Sequence, residues 1–113
     1  EKTIDRYGDK FKFRCFSKNE INISEKNIKP SSSYAKKFAA KEACAKALGT
    51  GLARGIYWKD IIVENDIYGK PFITLYGNAS KKLKELYSKP CQIDVSLSDE
   101  KNYAIANIVI HKK

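Results

Sequence analysis

The feature that most constrains the fold is a change of hydrophobic period near Tyr57. Before it, the apolar residues Tyr34, Phe38, Ala45 and Leu48 recur on one face of a long helix. The triple serine Ser31–Ser33 offers N-cap oxygens for that helix, which runs to about Leu48 and ends at Gly49, a residue suited to a left-handed C-terminal cap. After Tyr57, Trp58–Glu64 and Pro71–Tyr76 read as strands joined by the turn Asn65–Lys70, which contains Asp66 and Gly69. Asn78 is placed to cap a further helix carrying Ala79, Leu83 and Leu86. Cys91–Leu97 and Tyr103–Ile110 read as a hairpin around Asp99–Asn102, because Val95 and Leu97, then Tyr103, Ile105 and Asn107, alternate. Upstream, Glu1–Tyr7 reads as a helix stopped near Gly8, and Asp9 caps a second one carrying Phe11 and Cys15. Ser17–Glu20 has capping-box spacing, and Asn22–Pro30 reads as polar and irregular, with Pro30 as punctuation. Helices, hairpin, helix, hairpin is the order of an α+β domain, an antiparallel sheet packed with a long central helix.

At 113 residues the chain fits a single domain over 1–113. A hydrophobic fraction of 42% supports a real but small core, so oligomerisation is an expected supplement. No apolar run approaches the ~18 residues of a membrane span, and no secretory leader is visible in the sequence. Lys and Arg exceed acids to give a net charge of +9, which favours an acidic partner or a polyphosphate ligand. Cys15, Cys44 and Cys91 are scattered and His111 is the only histidine, which argues against a zinc site and for a reducing, cytoplasmic setting. Cys44 reads as a small core residue rather than a nucleophile.

Chemistry concentrates on the long helix. Glu42 and Lys46 lie one turn apart on a face shared with Ala35 and Ala39, whose small side chains allow close approach. Such a carboxylate can hold Mg²⁺, and such an ammonium can neutralise charge on phosphoryl oxygens. The plain alternative is a surface Glu–Lys pair worth roughly 0.3–0.5 kcal/mol. Lys41 lies amid the apolar face, so it either snorkels along the core edge or points at something anionic. Gly49-Thr50-Gly51 gives either a close backbone approach to phosphate or a plain cap, and Gly69-Lys70-Pro71 is an ordinary turn taken alone.

Taken in order, Lys41-Glu42-Ala43, Lys46-Ala47-Leu48-Gly49-Thr50-Gly51, Trp58-Lys59-Asp60-Ile61, Gly69-Lys70-Pro71, Val95-Ser96-Leu97-Ser98-Asp99-Glu100 and Tyr103-Ala104 make a more specific set. The series resembles the small bacterial-type holo-acyl-carrier-protein synthases across nearly the whole chain, from Glu1 to Ile110. The resemblance implies the 4′-phosphopantetheinyl transferase fold and transfer of 4′-phosphopantetheine from coenzyme A to a serine of apo acyl carrier protein. The product 3′,5′-ADP leaves, and the reaction serves fatty acid biosynthesis. It also implies Mg²⁺ held by Glu42, with Lys46 beside the phosphates of coenzyme A. Lys41, Gly49, Thr50, Gly51, Gly69, Lys70 and Pro71 are the remaining residues expected near coenzyme A. An acidic carrier protein is expected on Arg6, Lys10 and Arg14, whose plain reading is a solvated basic face, and a homotrimer with sites between subunits is expected.

Two features depart from the family pattern. Relatives usually begin with a short strand, Gly-x-Asp-Ile or similar, whose aspartate is a second metal ligand, whereas this sequence starts at Glu1, beyond it. Neither Asp5 nor Asp9 stands where that motif falls, so either the sequence lacks the parent's N-terminal strand or the protein binds metal poorly. The intact remaining motifs favour the first. Asp99 stands where many relatives carry histidine, which puts a general-base role there in doubt. A carrier-binding relative without catalysis is the nearest alternative. A nucleic-acid module would draw on Lys10-Phe11-Lys12-Phe13-Arg14, but no recognised motif accompanies that run.

Overall fold

The computed structural model describes residues 10, 12–49, 57–87, 89–100 and 103–112. Helical turns at 10 and 12–15 lead to α1, Lys18–Glu25. Its start is the expected capping box: the Glu20 amide donates to Ser17 Oγ (3.1 Å) and the Ser17 amide to Glu20 Oε1 (2.8 Å). The helix continues through Asn22–Glu25, which sequence assigns to irregular chain, because Ser24 is buried and shares a 2.9 Å hydrogen bond with Ser33 on the next helix. The expected helix from Glu1 to Tyr7 lies outside the described residues.

The long helix α2 spans Pro30–Ala47. Pro30 is its first residue rather than a break before it, since a first-turn residue has no intrahelical use for an N–H. Lys29 occupies the N-cap without a side-chain hydrogen bond, so the triple serine does not cap. Its hydroxyls serve tertiary structure instead: Ser33 meets Ser24, and Ser32 Oγ donates to Asp99 Oδ2 at 2.7 Å. The C-terminus is as expected, with Leu48 at the cap and Gly49 at φ +83°.

Trp58–Asp60 forms a 3₁₀ turn, and β1 covers Ile61–Asn65. Sequence alternation starts the strand at Trp58, but Asp60 accepts from the Tyr57 amide (3.1 Å) and winds the first residues into a turn. β1 pairs antiparallel with β2, Pro71–Leu75, in the register Val63↔Ile73. Helix α3, Gly77–Leu86, begins one residue before Asn78, with Tyr76 at its N-cap. β3, Cys91–Glu100, and β4, Tyr103–Lys112, pair antiparallel with Val95↔Ile108 and Leu97↔Ala106. The alternation on β4 is real, but the inward set is Ala106, Ile108 and Ile110, while Ile105 and Asn107 face out.

α2 packs on both hairpins. Cys44, Ala45 and Leu48 meet Ile61 and Ala79, and Ala40 meets Val63 and Val95. At its other end Tyr34 packs with Cys15 and Phe16. A long helix on antiparallel strands is the α+β architecture the sequence implies.

One polar knot crosses this core. Glu20 and Lys41 are both fully buried and 2.9 Å apart. The other Glu20 oxygen accepts the Val63 amide at 2.8 Å, and Lys41 Nζ also donates to the carbonyls of Trp58 (3.0 Å) and Ile61. Removing one partner strands a buried charge, so Lys41→Met or Glu20→Met alone should cost about 3–5 kcal/mol in urea unfolding. The Met/Met double variant should recover most of that loss. Equal destabilisation by single and double variants would contradict the account.

Candidate functional site

The Glu20–Lys41 pair sets the rotation of α2 and thereby decides what the helix shows outside. Glu42 and Lys46 are both exposed, one turn apart, beside half-buried Ala35 and Ala39. Among the described residues neither takes part in an ion pair or side-chain hydrogen bond. Among the described residues no three His, Cys, Asp or Glu side chains gather as a metal set, so Glu42 stands there as a single carboxylate.

Lys41 corrects an expectation. Sequence left it between snorkelling and an anionic target and counted it with the coenzyme-binding residues. The anion it meets is Glu20, inside the protein, and all three of its N–H donors are spent there. Burial pulls its ammonium below the ordinary lysine range, and Glu20 opposes that pull. It has no donor left for a ligand.

Gly69 and Pro71 sit elsewhere. The turn between β1 and β2 is tied by Asp66, whose Oδ1 accepts the amides of Tyr68 and Lys70 at 2.9 Å each. Gly69 takes φ +83°, a conformation that a side chain would strain. Gly69 and Pro71 line a cleft of about 180 Å³ with Ser33, Lys36, Lys37 and Asn65. Lys70 is exposed and does not line it.

Lys37 is the residue that sequence reasoning missed. It is 4% exposed and lines the cleft, where its ammonium reaches solvent, and among the described residues that ammonium has no hydrogen-bond or ion-pair partner. Burial pushes its pKa down from the ordinary lysine value. The signal was present: Lys37 lies about 40° around the helix from Lys41, on the same inward arc. A second lysine there needs its own anion. Lys36, also in the cleft, reaches Asp99 Oδ1 at 3.8 Å, and Ser32 and Lys36 together hold the Asp99 carboxyl below its usual range.

Glu42 and the cleft lysine therefore face different ways: Lys37 and Glu42 are about 140° apart around α2. A single chain does not bring Glu42 and Lys46 together with Gly69 and Pro71. Lys10 and Arg14 are exposed on the first helical segment with Phe13, which is 62% exposed, while Arg6, Thr50 and Gly51 lie outside the described residues. Gly49 is the helix cap with open space around it. Cys15 and Cys44 are buried with raised pKa values, Cys44 to about 11, because burial disfavours the thiolate, so neither is a nucleophile at neutral pH. No helix among the described residues is long and apolar enough to cross a membrane.

An outward Glu–Lys pair on α2 and a separate cleft lined by Lys36 and Lys37 are the two charged features that this helix presents. The 4′-phosphopantetheinyl transferase superfamily matches residues 1–108, and the chain belongs to that family. It is 45% identical over 112 residues to the holo-[acyl-carrier-protein] synthase of Azorhizobium caulinodans, which covers 97% of this chain and 82% of that protein. Its structure resembles the synthase from Neisseria meningitidis, with TM-score 0.80, 33% identity, and coverage of 99% of this chain and 87% of that one. The synthase from Helicobacter pylori, solved in complex with coenzyme A, matches with TM-score 0.78, 31% identity, and coverage of 96% and 88%.

The cleft makes a prediction of opposite signs. Lys37→Met removes a cation whose stem is buried and whose ammonium meets solvent only at the cleft, so the free protein should melt higher. Tripolyphosphate should raise the melting temperature of wild type and raise that of the variant less. Because the folded pKa lies below the unfolded one, the burden of Lys37 is full at low pH and lifts as pH rises through the folded value. The gain from Lys37→Met should shrink over that range. Equal tripolyphosphate shifts in both proteins would exclude Lys37 from anion binding.

Proposed function

We infer that this chain is a holo-[acyl-carrier-protein] synthase, working as one domain over residues 1–113, that transfers 4′-phosphopantetheine from coenzyme A to a serine of apo acyl carrier protein. The observation that carries the reading is Glu42 and Lys46, open and one turn apart on a buried-anchored helix, in a chain of the transferase family. The serine oxygen forms a bond to the β-phosphorus of coenzyme A as the bond to 3′,5′-ADP breaks. The serine proton is lost to solvent. Lys46 balances charge on the phosphoryl oxygens, and the rigid α2 fixes where the phosphates sit.

Glu42 fits Mg²⁺, which takes one or two carboxylates plus substrate phosphates and keeps several waters. When bound there the ion neutralises the pyrophosphate. Gly69 and Pro71, with Lys36 and Lys37, hold the distal part of coenzyme A, and Gly49, Thr50, Gly51 and Lys70 remain proposed neighbours of it. The 140° separation of the two groups around α2 supports a site completed between chains, for which the homotrimer expected from the family resemblance is the proposed assembly. Lys10 and Arg14, with Arg6, receive the acidic carrier through charge complementarity, which raises association rate. Free cysteines, two of them buried, fit a cytoplasmic enzyme.

With coenzyme A and Mg²⁺, the full-length protein should add phosphopantetheine to apo carrier, read as a mass increase on the carrier. Glu42→Gln should lower turnover by about 100-fold or more while leaving the melting temperature unchanged. No mass increase under conditions where a known synthase works would remove the transferase reading, and full activity in Glu42→Gln would remove the metal assignment.

A further inference from the structure

We propose that Glu25 and Tyr34 are positioning residues for carrier docking: with Lys12 they clamp the first helical segment so that Lys10 and Arg14 meet the acidic carrier in register with Glu42. The proposal rests on the transferase reading above. Its basis is a junction of three elements. Glu25, at the end of α1, accepts the hydroxyl of Tyr34 on α2 at 2.5 Å through Oε2. The same oxygen takes the Lys12 ammonium at 3.2 Å. That ammonium also lies 4.8 Å from the centre of the Tyr34 ring, and the ring packs at 5.1 Å against Phe16.

The contacts divide the first segment into two faces. Lys12, Cys15 and Phe16 are held inward, by the clamp and by the core. Lys10, Phe13 and Arg14 are exposed. Glu25 therefore takes one cation out of the basic run and leaves Lys10 and Arg14, one helical turn apart, as its outward charges. A partner read by charge meets a two-cation pattern instead of a diffuse one.

The far end of the clamp is α2 itself. Tyr34 precedes Glu42 by eight residues, a rise of about 12 Å along the same helix. Tyr34 is fully buried, so its hydroxyl is a fixed point. The clamp thus ties the docking face to the helix that carries the reacting end. A loose first segment would still attract the carrier but would deliver its serine out of register. The competing account is a surface ion pair of little consequence. The buried tyrosine distinguishes the two, because a hydroxyl fixed in the core has geometry to transmit.

The test is steady-state kinetics with carrier and coenzyme A varied separately, on wild type, Tyr34→Phe and Glu25→Gln. Both variants should raise KM for carrier by about three- to tenfold, leave KM for coenzyme A unchanged and melt near wild type. In a background of Lys10→Gln with Arg14→Gln, Tyr34→Phe should add no further rise in carrier KM, since no outward pattern is left to orient. An unchanged carrier KM overturns the clamp. A fall in stability with both KM values moving together overturns it as well, because that is the signature of general loosening. A wild-type protein that modifies no carrier removes the transferase reading and this inference with it, whereas active wild type with indifferent variants removes the clamp alone.

Discussion

The buried pair of Glu20 and Lys41 is the interaction on which the rest of the molecule depends. Two opposite charges with no solvent contact are tolerated only when their remaining hydrogen-bonding capacity is filled. Here it is filled by four backbone groups from three elements: the amides of Ser17 and Val63 on the carboxylate, the carbonyls of Trp58 and Ile61 on the ammonium. The pair therefore fixes α1, α2 and the start of β1 against one another at a single point. An apolar contact would allow α2 to roll by several degrees at little cost. A lysine whose three donors each have an acceptor permits no such roll. Since Glu42 is the next residue, its direction follows directly from that of Lys41.

This explains which parts of the structure were legible in the sequence. Local signals were read correctly where local chemistry decides: the capping box at Ser17 and Glu20, the Gly49 cap, and the turn at Asp66 and Gly69. They misled where a tertiary partner outbids the local one. Ser32 and Ser33 have the composition of a helix cap, but Asp99 and Ser24 offer hydroxyl partners that only the fold supplies. Trp58 continues an alternating pattern, yet the Asp60 carboxylate turns the chain there. Lys41 is the sharpest case. Helical angle placed it on the apolar face, which is right, but the choice between a ligand and Glu20 needed a contact across 21 positions of sequence.

Lys37 shows the complementary failure. It shares the inward arc of α2 with Lys41, but no carboxylate closes on it among the described residues. Its residue type carried no message until the neighbouring turn at Gly69 and Pro71 was seen to wall the same cleft. The two lysines then separate cleanly. Both are desolvated, and in both burial lowers the pKa, but one has its counter-charge built in and the other faces open space.

That difference bears on why a small domain keeps a largely desolvated cation at a cleft. A largely desolvated ammonium opposes folding, and a core of this size has little stability to spare. Replacement by an apolar side chain would be favourable if stability were the only criterion. An anion in the cleft, as the proposed coenzyme A site has it, would offset that cost. The same logic applies outside, where Glu42 and Lys46 stand a turn apart and, among the described residues, are joined to no partner. α2 thus carries one charge pair closed for structure and further charges left open on two sides. A helix built this way would suit the proposed site, in which surfaces of two neighbouring copies meet one polyphosphate.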